Sequence, residues 1–195
     1  MSGRRIVIVN GSPRKNGNST LLAEQVAAGA RAAGAEVESF TLHTMDIRPC
    51  DACDACQETA GGMCLIRDDM QLLYPRLERA DAIVIASPIY WFSVSAQTKL
   101  FIDRCYAFDS PQGNALAGKQ FGLVLTYGDS DPFSSGAVNA IHMFQDACRY
   151  LKANLAGIVH GSASKAGEIR QQPGLLEKAY RLGEQLGAGA SLSAD

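Results

Sequence analysis

Arg5-Ile6-Val7-Ile8-Val9-Asn10 runs straight into Gly11-Ser12-Pro13-Arg14-Lys15-Asn16-Gly17-Asn18-Ser19-Thr20, and then into Leu21-Leu22-Ala23-Glu24-Gln25-Val26. The first six residues are β-branched and apolar, the pattern of a strand buried on both faces of a parallel sheet. The N-terminus is basic and then apolar, but the apolar run is too short for a signal-peptide core and ends in a turn. The third stretch opens a helix from Ser19 to about Ala33, with Leu22, Val26, Gly29 and Ala33 on one stripe, Asn18 or Ser19 as its cap and Gly34 as its stop. Strand, small-residue loop and helix in immediate succession make a βα unit.

The same unit recurs along the chain. Glu36–His43 reads as a weaker strand, followed after a cysteine-bearing loop by a helix over Asp68–Arg79 with Met70, Leu73, Tyr74 and Leu77 on one face. Asp68 and Asp69 fall in its first turn, where the helix dipole favours carboxylates. Ala82–Ser87 is the plainest strand, and Pro88 is expected to end it. Ser95 is placed to cap a helix through about Tyr106. Gln120–Thr126 is a fourth strand, followed by a helix with Ala137, Ile141, Phe144, Cys148 and Leu151 on its apolar face. Leu155–Ser162 is a fifth, and Pro173 opens a last helix striped by Leu175, Leu176, Ala179, Leu182 and Leu186. Five β-then-α units imply an α/β fold with one five-stranded parallel sheet covered on both faces and right-handed crossovers. Such sheets bind ligands beyond the carboxyl ends of their strands, at a topological switch point.

At 195 residues the chain is sized for one domain, here residues 1–186 with a cysteine-rich loop at 48–66 and a flexible tail over 187–195. Its composition, 47% hydrophobic and 19% charged, excludes a disordered chain. A formal charge of −2 argues against a nucleic-acid binder, which needs a concentrated basic face. No apolar run reaches the ~18–20 residues of a membrane span. A soluble, cytoplasmic protein with no membrane and no nucleic-acid partner is the expectation.

Gly11–Thr20 offers hydroxyls, amides, two cations and two glycines at a helix N-terminus, where unsatisfied N–H groups and the helix dipole favour an anion. It is neither a Walker loop nor a Gly-x-Gly-x-x-Gly fingerprint. Hydroxyls with one arginine suit a terminal phosphate better than a pyrophosphate bridge. After strand three, Ser87-Pro88-Ile89-Tyr90-Trp91-Phe92-Ser93-Val94-Ser95 carries three consecutive aromatics, poorly placed for the core and well placed for a flat ligand. A hydrophobic lid or a dimer interface is the plainer alternative. Thr126-Tyr127-Gly128-Asp129-Ser130 adds a further aromatic and a glycine after strand four. A phosphate cradle with an aromatic platform describes a mononucleotide with a large planar ring, and FMN fits both ends.

Gly11-Ser12-Pro13-Arg14, Asn18-Ser19-Thr20, the cysteine triplet, Asp68-Asp69-Met70, Ser87-Pro88-Ile89-Tyr90-Trp91 and Lys99 followed by Asp103-Arg104 occur in one order along the chain. In this the sequence resembles the NADPH-dependent FMN reductase-like group of the flavodoxin-like fold, and within it the iron–sulfur flavoproteins. The resemblance implies a three-layer sandwich with strand order 2-1-3-4-5. It implies that Ser12, Arg14, Asn18, Ser19 and Thr20 hold the phosphate. Pro88, Ile89, Tyr90, Trp91 and Phe92 would flank the isoalloxazine, with Tyr127, Gly128 and Asp129 completing the ring site. The loop after strand four departs from the Gly-Gly of such families. The resemblance also implies a homodimer or homotetramer, for which the exposed aromatics and the helix holding Lys99, Phe101, Ile102, Asp103 and Arg104 are the candidate contact.

Of six cysteines, Cys50, Cys53, Cys56 and Cys64 crowd into one loop. Thiolates at spacing three with a fourth nearby can wrap an iron–sulfur cluster, by the family analogy [4Fe–4S]; a four-thiolate zinc site or four free thiols are the alternatives. Asp51 and Asp54 do not suit a soft metal and keep the loop solvated. Cys105 and Cys148 read as small buried hydrophobes, and His43, His142 and His160 show no ligand spacing. No Ser-His-Asp or Cys-His arrangement stands out. Flavin chemistry asks side chains mainly for position, electrostatics and water exclusion. Tyr90 and Asp129 are the candidate proton donors. An oxidoreductase is the expectation, passing electrons from NAD(P)H or a protein carrier through FMN to a quinone, flavin or protein redox partner. A non-catalytic flavodoxin-like carrier, a flavin reductase without a cluster and a metal-binding interaction module are its rivals.

Overall fold

The computed structural model describes residues 3–58, 64–110 and 113–189. Among the described residues six strands form one sheet: β1 (Arg5–Asn10), β2 (Glu36–Thr41), β3 (Ala82–Tyr90), β4 (Ser93–Val94), β5 (Gln120–Tyr127) and β6 (Asn154–Ser162). The parallel strands lie in the order β2-β1-β3-β5-β6, and β4 pairs antiparallel with the end of β3. The five parallel strands thus have the expected flavodoxin-like order, with a two-residue hairpin strand added. Among the described residues six α-helices accompany them: α1 (Asn18–Ala32), α2 (Ala55–Glu58), α3 (Met70–Arg79), α4 (Ala96–Arg104), α5 (Ala137–Leu151) and α6 (Pro173–Ala188). Among the described residues no helix is long and apolar enough to cross a membrane.

Alternation along each strand sorts the side chains into two cores. Val7, Val9, Ile83, Ile85, Leu123 and Leu125 face α3, α4 and α5. Ile6, Ile8, Val84, Ala86 and Val124 face α1 and α6. On that second face the two helices nearly touch. A Cβ at Gly183 would stand 2.0 Å from the Val26 carbonyl oxygen, and one at Gly29 would stand 2.0 Å from that of Tyr180.

Several boundaries differ from the sequence reading. Pro88 does not end β3, which continues to Tyr90. Ala86 gives its carbonyl to the Gly11 N–H at 2.8 Å on the β1 side. Alternation puts the N–H that Pro88 lacks on that same side, past the end of β1, where no ladder needs it. The cap of α1 is Gly17, with no side-chain capping bond, and Asn18 lies inside the helix. The last helix runs through Gly187 and Ala188, so these two residues of the expected tail are helical, while 190–195 lie outside the described residues.

β2 is the weak strand, mostly exposed at the edge, and it ends at Thr41 before a 3₁₀ turn over Leu42–Thr44. Glu36 and Glu38 stand along it in exposed ion pairs with Arg5 at 3.9 Å and Arg76 at 3.0 Å. Pairs so exposed contribute roughly 0–1 kcal/mol each.

Candidate functional site: a cradle and an aromatic rim at one end of the sheet

The loop after β1 leaves the sheet between β1 and β3, where the strand order reverses. It is pinned there from both sides. The Gly11 N–H donates to Ala86, and the Ser95 hydroxyl at the head of α4 donates to the Gly11 carbonyl at 2.7 Å. A Cβ at Gly11 would fall 1.8 Å from the Thr98 hydroxyl oxygen, so only glycine fits. The loop then folds back on itself: the Arg14 N–H donates to the Ser12 hydroxyl at 3.2 Å and the Gly17 N–H to the Arg14 carbonyl at 3.0 Å. A Cβ at Gly17 would meet the Ser12 hydroxyl oxygen at 2.2 Å, which places Ser12 under the first turn of α1.

Two buried polar atoms at this end of the sheet find no hydrogen-bond partner among the described residues: the Ser19 hydroxyl, on a residue 1% exposed, and Asn10 Oδ1 at the end of β1. Buried polar groups are nearly always satisfied, and leaving one unsatisfied costs about 1–3 kcal/mol. With the free N–H groups and positive dipole end of α1, the Ser19 hydroxyl makes a cradle of the kind a terminal phosphate fills. The residues present therefore fit the phosphate of FMN.

The other residues expected there divide. Thr20 is half-buried beside Ser19. Arg14 is exposed, and its guanidinium donates to the Ser164 carbonyl at 2.8 Å, leaving further N–H groups at the rim. The Asn18 side chain is occupied by the protein's own backbone. Its amide donates to the carbonyls of Ala163 (3.0 Å) and Lys165 (2.9 Å), and its oxygen accepts from the Ile169 N–H at 3.2 Å. What Asn18 can offer a phosphate is its backbone N–H.

The aromatic stretch is the tip of the β3–β4 hairpin. Ile89 pairs with Val94 and Tyr90 with Ser93, leaving Trp91 and Phe92 as a two-residue loop. Both have positive φ, 48° and 62°, as a type I′ turn requires and as bulky side chains strongly resist. Trp91 is 92% exposed, its ring edge-on to Phe92 with centroids 6.4 Å apart, and the Asn139 amide donates to the Phe92 carbonyl at 3.1 Å. Tyr90 is partly exposed beside them, while Pro88 and Ile89 are strand residues with buried side chains. Strain of this kind marks sites where side-chain placement matters more than turn comfort. Replacing Trp91-Phe92 with Asn-Gly should therefore raise the melting midpoint by a few degrees, about 1–2 kcal/mol of relieved strain, while weakening FMN binding. Thermal melts beside a flavin titration check both halves; a variant that melts lower would overturn the strain argument.

Sequence reasoning missed the hydroxyl network beneath this hairpin. The Ser95 N–H donates to the Ser87 hydroxyl at 3.0 Å, the Thr98 hydroxyl donates to the same oxygen at 3.2 Å, and Ser95 Oγ lies 2.9 Å from Thr98 Oγ1. All three residues are fully buried. The signal was present, hydroxyls bracketing an aromatic run, but it also reads as a cap.

At the end of β5, Tyr127 turns inward rather than toward a ligand. It is buried, and its hydroxyl lies 3.0 Å from His160 Nδ1. Burial raises the tyrosine's pKa, and burial followed by the Lys178 charge lowers that of the histidine, so both are neutral near pH 7. Gly128 and Asp129 are exposed. The Ser164 hydroxyl donates to the Gly128 carbonyl at 3.0 Å, and Asp129 accepts from the Ser130 N–H at 2.7 Å. Ser164 thus joins the loop after β5 to Arg14, and Ser95 joins the loop after β1 to the hairpin. The structure brings the arginine loop and the aromatic tip to one rim.

The cysteine loop closes at its neck. The Asp46 and Arg48 N–H groups donate to Asp69 (2.8 Å) and Asp68 (2.9 Å), and the Gln71 amide donates to the carbonyls of Cys64 (3.0 Å) and Ile66 (2.9 Å). Cys50 and Cys53 are exposed, Cys56 is half-buried and Cys64 buried. Among the described residues no three metal-ligating side chains gather; residues 59–63, within the loop, lie outside them. The fit to a cluster rests on the donor set, four soft thiols in one loop. Burial pushes the Cys105 thiol up to about 12 and the Cys148 thiol up to about 11, as suits inert packing groups. Of the helix expected to form a dimer contact, Phe101 and Arg104 are interior, while Lys99 and Asp103 form an exposed pair at 2.5 Å.

Residues 4–168 match the NADPH-dependent FMN reductase family. An iron–sulfur flavoprotein of Methanocaldococcus jannaschii is 33% identical over 137 residues, 70% of this chain and 68% of that protein. One from Archaeoglobus fulgidus is 37% identical over 125 residues, covering 63% of this chain and 54% of its own length, so the chain spans about half of that relative. In fold, the chain is similar to an NAD(P)H:quinone oxidoreductase from Methanothermobacter marburgensis, with a TM-score of 0.73 at 19% identity over 94% of this chain and 99% of that one.

Proposed function

We propose, from the premise that the chain belongs to the NADPH-dependent FMN reductase family, that it is an oxidoreductase moving electrons from NAD(P)H or a reduced protein carrier through FMN to a quinone, flavin or other acceptor. The observation that carries this reading is the buried Ser19 hydroxyl in the first turn of α1, without a hydrogen-bond partner among the described residues, where the loop from the switch point enters the helix. FMN, when bound, supplies the hydride and single-electron chemistry.

The chain's residues bind and orient. Ser12, Ser19, Thr20 and the first N–H groups of α1 hold the phosphate, and Arg14 sets a positive charge at its mouth. Gly11, locked by Ser95, fixes the cradle's distance from the hairpin. Tyr90, Trp91 and Phe92 cover the flat ring and exclude water from it, with the exposed backbone of Gly128 opposite. In this reading Tyr90 and Asp129 would move a proton at the rim. Cys50, Cys53, Cys56 and Cys64 hold a [4Fe–4S] cluster in this reading, supported by their spacing, their softness as donors and the iron–sulfur flavoproteins among the relatives.

The purified protein should be yellow, release flavin on denaturation, and oxidise NADH or NADPH in the presence of a quinone or ferricyanide. A colourless protein that ignores added FMN would overturn the assignment. A flavin-loaded protein that neither nicotinamide reduces would favour a non-catalytic carrier instead.

A further inference from the structure

We propose that Arg104 is the positioning residue of the cysteine loop: it holds the Cys64 sulfur with an N–H donor and sets a buried positive charge beside the cluster. The inference rests on the cluster reading above.

Arg104 ends α4 and is 1% exposed. Arginine is almost never so buried unless paired. Its partner is the equally buried Asp68, which receives both terminal nitrogens. Burial alone would raise the pKa of Asp68, but the guanidinium and the N–H groups of Arg48 and Met70 outweigh it and hold the carboxyl below its usual range. The same fork donates to the Arg48 carbonyl at 2.9 Å and to Cys64 Sγ at 3.4 Å. One guanidinium therefore touches the start of the loop, its fourth thiol and its end. The Tyr74 hydroxyl donates to the Arg104 carbonyl at 3.1 Å and steadies the helix end.

A buried ion pair is a weak source of stability, because desolvation offsets the attraction and an apolar pair of similar volume does as well. What this pair does that an apolar one would not is aim an N–H and a positive charge at sulfur. Hydrogen bonds and charge around cluster sulfurs orient the ligands and set the reduction potential. A cation there favours the reduced, more negative cluster. Only a planar fork reaches carboxylate, carbonyl and sulfur together, so lysine is no substitute. The helix that carries Arg104 begins at Ser95, which pins the phosphate loop. One rigid element thus holds both proposed redox groups in register.

The test compares wild type, Arg104→Lys and Asp68→Asn, purified without oxygen, by FMN content, iron and sulfide content, and an EPR redox titration of the cluster. Arg104→Lys should keep FMN but lose iron, and the cluster that remains should titrate at a more negative potential. Asp68→Asn, which unmasks the cation, should shift the potential the opposite way. Opposite shifts are not what mere loosening of the loop produces. Variants with wild-type iron and unmoved potentials overturn the inference while leaving the cluster standing. A wild type without iron and sulfide overturns the cluster reading and this inference with it. Variants that lose FMN along with iron have lost the fold. The wild type labelled with guanidino-15N arginine then decides: a weak 15N coupling in the reduced cluster's pulsed EPR supports the contact, and its absence overturns it.

Discussion

Gly183→Leu should leave almost no folded protein, and even Gly183→Ala should lower the melting midpoint by about 10 °C. The reason is backbone, not side chain. A Cβ at position 183 would lie 2.0 Å from the Val26 carbonyl oxygen and 2.8 Å from the Ala30 nitrogen. No rotamer relieves such a clash; α6 must move off α1. That shift opens the core lined by Val26, Ala30, Leu182 and Leu186. Overpacking commonly costs about 1–3 kcal/mol, and here the obstacle cannot give, so about 3 kcal/mol is the expectation for alanine. For a domain of this size that is roughly 10 °C. Leucine adds three more carbons at the same point, enough to consume much of a total stability of about 5–15 kcal/mol. Thermal unfolding by circular dichroism checks it. A Gly183→Ala protein melting with the wild type would show that the two helices can separate freely.

The second large effect is on flavin affinity. Ser12→Ala with Ser19→Ala should weaken FMN binding by about a thousandfold. Hydrogen bonds to a charged group contribute about 1.5–3 kcal/mol each, and every 1.4 kcal/mol is tenfold in Kd. The loss should be specific to the phosphate. Riboflavin, which has the same ring and no phosphate, should bind both proteins alike. Fluorescence-quenching titrations with the two flavins read the difference. An equal loss for both would point to a damaged loop, and no loss for FMN would remove the cradle assignment. Asn18→Ala should behave differently. Its three hydrogen bonds run to the backbone of residues 163–169, so its effect should appear first in the melting midpoint.

These expectations draw on sequence and structure in unequal parts. The three central strands were legible because each is an unbroken apolar run: Ile6–Val9, Ile83–Ile85 and Leu123–Leu125 have nowhere to go but the middle of a covered sheet. The glycine-and-hydroxyl loop was legible because few uses explain such residues between a strand and a helix. Four things were not legible. Pro88 reads as a stop unless one knows that its neighbour β1 has already ended. Asn18 looks like a ligand because amide chemistry is the same whether it meets a phosphate or the carbonyls of Ala163 and Lys165. Tyr127 reads as a ring contact from its loop, yet it points into the core because strand parity, not loop composition, decides its direction. Arg104 and Asp68 stand 36 residues apart; nothing local betrays that two charges on two helices will be buried together.

The outer strand β2, with Glu36 and Glu38 spaced along its open edge, has a consequence for behaviour in bulk. Two such edges meeting antiparallel would crowd the Glu36–Arg5 and Glu38–Arg76 ion pairs of both chains into one narrow seam and strip their water, a cost that opposes the ribbon-like stacking by which unprotected sheets turn into fibrils. Concentrated solutions near neutral pH should therefore stay clear.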